Sequence, residues 1–302
     1  MQMPKWNQRM NTTALRLPLI PLAWRGFWPI VLGLLLMYVP TFWNLLHTFW
    51  VYDYGAHGPV ILTIFLWLMW RHRADLLPGE EDVPRRRSGA GLIVLGLALY
   101  VVGRSQQLFV LEVGSLIPLL YGVVLALNGR QGLRALWFPI GFLVFLIPWP
   151  GSLLDAVLLP LKELVSVVVD DFLYSLGYPI ARNGVVLTIG PYQLMIANAC
   201  AGLNSMIALT AVGTLFVYLT GHHSRAQRYV LLASILPIAL IANLLRVLAL
   251  VLLTYHYGDN AGREFHDIAG YLEIVFAFGA FFLLDALVLK LMHTRRLRTQ
   301  WM

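Results

Sequence analysis

Three residues able to do covalent chemistry stand far apart in the chain: Cys200, Arg246 and His266. Cys200 is the only cysteine, and it lies in Asn198-Ala199-Cys200-Ala201-Gly202-Leu203-Asn204, where a polar stretch gives way to an apolar one. A thiolate attacks carbonyl carbon well, and its pKa falls at a helix N-terminus or beside a cation. Histidine exchanges protons near neutral pH, as an amide leaving group requires. A guanidinium stays charged and donates several hydrogen bonds, which suits the oxyanion formed when sulfur adds to an amide. Together the three would perform acyl transfer or proteolysis through a thioester, with Cys200 as nucleophile, Arg246 as oxyanion or thiolate stabiliser and His266 as acid/base.

Each residue also has a plainer reading. A single cysteine in an apolar helix is commonly a small packing residue. Arg246 is costly inside a span, at about 2.5 to 3.5 kcal/mol on insertion scales, so it is either functional or half of an ion pair. Glu273 and Glu112 are the carboxylates available for such a pair. His266 alone reads as a loop histidine, with Asp267 either orienting its ring or simply solvated. Asn243 lies one helical turn before Arg246 and shares its face, where it would hold the guanidinium or bind backbone carbonyls. His57, before Gly58, would serve the site or cap the following helix; the structural role is the better fit. Asp285 is expected to meet a polar neighbour. His222-His223 reads as a charged loop rather than a metal pair. One cysteine excludes an internal disulfide and a cysteine-based metal cluster. No glycine-rich phosphate loop, zinc-protease His-Glu pattern or clustered ligand set is present, so neither metal nor cofactor is expected.

The elements that must position these residues are membrane spans. Hydrophobic residues make up 59% of the chain and charged residues 12%, against about 25% charged in a soluble domain. An all-α, polytopic bundle of about eight transmembrane helices follows, with no soluble domain between them. The spans are expected at 27–46, 59–70, 90–102, 108–127, 133–147, 201–219, 229–253 and 268–291, the second and third being short. Pro148-Trp149-Pro150-Gly151 ends the fifth, because proline cannot continue a helix. Residues 153–176 carry apolar positions at helical spacing with Asp155, Lys162, Glu163, Asp170 and Asp171 between them, the pattern of an amphipathic helix lying on the membrane surface. Residues 185–189 and 192–196, around Gly190-Pro191, read as a short hairpin leading into Cys200. The organisation is then a basic tail at 1–26, a transmembrane domain at 27–291 and a second basic tail at 292–302. The first tail is not expected to be a cleavable signal peptide.

Charge sets the expected orientation. Seventeen of the 22 lysines and arginines fall on the side of the two termini, four on the other, and Arg246 within a span. Lysine and arginine are retained in the cytoplasm. Both termini are therefore expected there, and 149–199 is expected outside. Cys200 then opens span six at the outer face, His266 lies in the outer loop between spans seven and eight, and Arg246 lies about 10 Å deep, its long side chain reaching outward. The net charge of +7 is accordingly a topology signal and not a nucleic-acid footprint.

At these residues the chain resembles the exosortases, bacterial membrane cysteine transpeptidases grouped with the archaeosortases. The resemblance is carried by Ala199-Cys200-Ala201-Gly202-Leu203, Ala242-Asn243-Leu244-Leu245-Arg246-Val247 and Phe265-His266-Asp267-Ile268-Ala269-Gly270. Ala56-His57-Gly58 and Phe145-Leu146-Ile147-Pro148 are similar as well. Three ordered motifs spread over most of the chain make it specific. It implies the roles given above for Cys200, Arg246 and His266. It also implies a substrate class: exported proteins with a C-terminal signal made of a Pro-Glu-Pro-like (PEP-CTERM) motif, an apolar helix and a basic tail. Such systems accompany exopolysaccharide genes in Gram-negative bacteria, which implies the inner membrane. The family's usual serine after the cysteine is Ala201 here, a change that removes a hydroxyl and leaves the nucleophile. The extra C-terminal outer domain of some relatives is not expected.

The expected function is an outer-face cysteine protease or transpeptidase whose partners are those sorting signals and the membrane lipid. The competing class is a non-catalytic protein of exopolysaccharide assembly or export, with Arg246 on an anionic lipid-linked sugar and Cys200 as packing. A third is a transporter with Arg246 and Glu273 on its path; the gathering of polar residues at one face speaks against it.

Overall fold

A computed structural model describes the backbone of residues 23–50, 57–73, 86–195, 203–221 and 224–300. The chain divides into two compact units, 1–43 and 44–302. In the first, the described residues belong to helix α1 (Ala23–Thr48), which continues into the second. Its 23–43 part exposes Trp28, Leu32, Leu36 and Trp43, side chains that suit lipid rather than water.

The second unit holds α2 (Gly58–Arg71), α3 (Arg86–Ser105), α4 (Phe109–Gly114), α5 (Leu116–Gly141) with a 3-10 turn at Phe142–Leu146, and α6 (Gly151–Ser175). Strands β1 (Ile180–Asn183), β2 (Val186–Ile189) and β3 (Tyr192–Met195) follow, then α7 (Leu203–Leu219), α8 (Arg225–Tyr257) and α9 (Asp259–Gln300). Among the described residues five helices are long and apolar enough to cross a bilayer: Trp28–Thr48, Arg87–Ser105, Phe109–Leu146, Ala226–Tyr257 and Ile268–Leu291. Gly58–Arg71 and Met206–Leu219 are shorter apolar helices. This is a helical membrane protein, as the composition implies. α3 is longer than expected, at 20 residues.

The long apolar stretch 109–146 is not straight. Gly129 has φ 65° and ψ −154°, a conformation open to glycine and strained for other residues. The Tyr121 hydroxyl donates to the Trp137 carbonyl at 2.6 Å. In a straight helix, residues 16 apart would be separated by about 24 Å, so the chain folds back at Gly129. Val124, Leu136 and Ile140 pack together with Ile117, Leu120 and Tyr121 across the fold.

α8 is the central element, because its two faces serve two cores. Val247 and Val251 pack against Val165, Val169 and Leu173 of α6 and against Ile180, Leu187 and Ile189 of the sheet. Leu231, Ile235, Ala239 and Ala242 pack against Leu209 and Phe216 of α7 and against Ala277 and Phe281 of α9. The sheet is antiparallel in the order β1-β2-β3, with Leu187 opposite both Arg182 and Leu194.

Two expectations change here. The hairpin gains a third strand, β1. Only Ile180 of its four residues is buried, so no apolar alternation marked it in the sequence. α6 is also more than a surface helix. One face is buried against the sheet and α8, and the Ser166 hydroxyl donates to the Gly184 carbonyl at 2.9 Å. Leu164, Val168 and Phe172 form a separate exposed apolar stripe one turn apart.

Candidate active site

Hydropathy ends span seven at 253, but α8 continues to Tyr257, and α9 begins at Asp259. A single residue, Gly258 with φ 89°, makes the reversal. Such a φ is open to glycine and strained for other residues. His266 and Asp267 therefore lie within the helical span of α9 and not in an outer loop. The polar run Asp259-Asn260-Ala261-Gly262-Arg263-Glu264 forms helix because Asp259 suits the positive N-terminal end of the helix dipole and pairs with Arg263 one turn on. Arg246 stands eleven residues from the end of α8, about 16 Å from the Gly258 turn.

Close contacts fix the heights of the three C-terminal helices. Gly262 lies against Thr254, so α8 and α9 run antiparallel with these residues level. A Cβ on Gly213 would lie 3.0 Å from Ile235 and 2.7 Å from Phe281. Leu209, Ala239 and Ala277, buried in one core, form a layer consistent with both contacts. Counting toward the Gly258 end at equal rise per residue, Arg246 on α8 comes level with position 270 on α9. The first residue of α7, Leu203, comes level with Leu245. His266 comes level with Leu250, four residues or about 6 Å nearer the Gly258 turn than Arg246.

At 100° per residue, Arg246 shares a stripe of α8 with Ile235, Ala239 and Ala242, which face α7 and α9. Positions 266, 273 and 277 share a stripe of α9 on the same count. Arg246 meets Glu273 there: its Nη1 donates to Glu273 Oε2 at 3.2 Å, with side chains 8% and 0% exposed. Of the two carboxylates the sequence offered, Arg246 takes Glu273, while Glu112 accepts from Arg104 at 3.1 Å. This bond holds the guanidinium between α8 and α9. Asn243, buried and one turn earlier on α8, is level with Glu273.

The remaining candidates fall in other places. Cys200 lies outside the described residues, between the end of β3 at Met195 and the start of α7 at Leu203; His222 and His223 are likewise outside them. The side chains of His266 and Asp267 are outside them too. His57 occupies the N-cap position of α2 but makes no side-chain cap bond. Its imidazole lies instead beside the backbone of Phe145. The two lesser motif stretches, Ala56-His57-Gly58 and Phe145-Leu146-Ile147-Pro148, thus meet each other. Burial lowers the His57 pKa from its usual 6.5, and the nearby Phe145 backbone opposes that shift. Asp285 accepts from Gln227 Nε2 at 2.8 Å, the polar neighbour expected of it.

In the sequence Glu273 stands as one of two possible ion-pair partners of Arg246 and as a residue of the transporter path, with no part in the cysteine chemistry. Its signal was a carboxylate inside an apolar span seven residues, or two turns, after His266. A family model described as transmembrane exosortase (Exosortase_EpsH) matches residues 49–284, a stretch that includes Cys200, Arg246 and His266. No curated protein and no solved structure matches the chain. From the match over 49–284, this chain belongs to the transmembrane exosortase family.

Proposed function

We propose that the protein is a membrane cysteine peptidase or transpeptidase that cleaves the C-terminal sorting signal of exported proteins at the periplasmic face of the inner membrane. The supporting observation is the shared level of three elements: α7, which begins three residues after Cys200, the Arg246 turn of α8, and the His266-to-Glu273 stripe of α9. In this reading the two limbs of 109–146 and the two shorter apolar helices bring the crossings to about eight. The excess of lysine and arginine at the termini keeps both ends cytoplasmic.

The chemistry assigns one task to each residue. The Cys200 thiolate adds to the scissile carbonyl, and the carbonyl π electrons move onto oxygen. Arg246 stabilises the oxyanion, which develops charge only as sulfur adds. The tetrahedral adduct collapses, the C–N bond breaks, and His266 gives the leaving amine its proton. A thioester remains on Cys200. Water or an acceptor amine then attacks it, His266 takes the proton back, and the thiolate leaves. Asn243 and Asp267 support Arg246 and His266 in turn, and His57 supports the fold around Phe145.

Cys200→Ala, co-expressed with an exported protein bearing a PEP-CTERM-like signal, is expected to leave it uncut. Mass spectrometry of the new C-terminus with the wild-type enzyme identifies the cleaved bond. Normal cutting by Cys200→Ala would sink the proposal. The Arg246–Glu273 bond also favours a second reading, a non-catalytic exopolysaccharide assembly protein in which the pair ties α8 to α9. That reading is selected if Cys200→Ala keeps function while Arg246→Ala loses it.

A further inference from the structure

Glu273 has no role in the scheme above, yet its side chain is fully buried and 3.2 Å from Nη1 of Arg246. A carboxylate so close weakens the field of a guanidinium on any neighbouring anion. On electrostatics alone, Glu273 would oppose stabilisation of a thiolate or an oxyanion. What it offers instead is geometry. An arginine side chain is long and loses much rotamer freedom when ordered, and a stabilising donor works only if it is fixed before charge develops. Glu273 is anchored on α9, and α9 is held to α8 by the Gly258 turn and the Gly262–Thr254 contact. It therefore ties one amino group of the guanidinium to a fixed point on α9.

We propose that Glu273 is a positioning residue of the cysteine site, acting through Arg246. The inference rests on the reading of Cys200 and Arg246 as a working pair. Removing the carboxylate then has two effects of opposite sign. Loss of a negative charge lowers the thiol pKa, and loss of a fixed guanidinium raises it. A positioning role requires the second effect to dominate.

The chain's single cysteine makes the measurement specific. The full-length protein, reconstituted in liposomes, is alkylated with iodoacetamide across a pH series, and thermal unfolding is followed in parallel. Glu273→Gln is expected to raise the midpoint of the alkylation profile by about one unit, a roughly tenfold slower reaction below both midpoints. Glu273→Asp keeps the charge one methylene shorter and is expected to fall between; it also decides the matter if the glutamine variant does not accumulate in membranes. Lys162 and Asp170 of α6 and the residue at 266 are unchanged in these variants. An unchanged or lowered midpoint in Glu273→Gln, with or without lost thermal stability, overturns the positioning role. Arg246→Gln separates the two ideas: if it leaves the midpoint in place, the pairing of Cys200 with Arg246 fails. If it raises the midpoint and Glu273→Gln does not, only the role of Glu273 fails.

Discussion

Among the described residues, two arginine–glutamate pairs tie helices together, and they differ in almost everything except length. Arg104 meets Glu112 at 3.1 Å, and Arg246 meets Glu273 at 3.2 Å. The first joins residues eight apart where α3 gives way to α4; the second joins residues 27 apart on α8 and α9. Both carboxylates are buried, but the Arg104 side chain is 42% exposed and that of Arg246 only 8%. A cation that keeps its contact with the surroundings loses little when its pair is broken. A cation enclosed by protein has no such recourse. Bonds of nearly equal length therefore matter far less to the arginine in one place than in the other.

The largest effect is expected at the enclosed pair. Arg246→Leu or Glu273→Leu alone leaves one charge buried and should cost about 3 to 5 kcal/mol, read as thermal unfolding in detergent. The double Leu variant should recover much of that stability. Signal cleavage should stay down by about a hundredfold or more wherever Arg246 is missing. Recovery of cleavage together with stability would make the pair purely structural. At the half-exposed pair, Glu112→Gln leaves behind only a cation that keeps contact with its surroundings, and should cost about 1 kcal/mol or less and leave cleavage intact. A loss as large as at Arg246 would show that exposure is not what separates them. The smallest effect carries the contrast to a buried ionisable group beside a backbone segment, His57. Its pKa is lowered on folding, so its stabilising contribution is full above the unfolded value of 6.5 and declines as pH falls below it. Stability measured from pH 8 to 5 should therefore drop more steeply in the wild type than in His57→Gln. Parallel curves would remove His57 from the account.

The residues differ in how well they announced these roles. Apolar runs separated by arginine-rich breaks gave the membrane bundle directly, and the break expected between 127 and 133 contains Gly129, where 109–146 folds back. The partner of Arg246 was narrowed to two carboxylates, since so few occur within apolar stretches. The ends of α8 and α9 were not legible. Hydropathy reports what suits lipid, and the helix runs on through Asp259 to Asp267, where side chains suit water. That single substitution of "apolar" for "helical" put His266 in a loop. β1 escaped for a related reason: Ile180-Ala181-Arg182-Asn183 gets its strand conformation from pairing with β2, and little from its own composition.

The reversal at Gly258 acts as a ruler for everything below it. Because α8 and α9 are joined through one residue, their side-by-side alignment has no slack to absorb a change in chain length. One residue inserted after Gly258 would turn α9 by about 100° and advance it by about 1.5 Å, taking Glu273 off the side that meets Arg246 while the hydrophobic content of both helices stayed the same. Insertions at this hairpin tip should thus be far more damaging than its polar composition suggests.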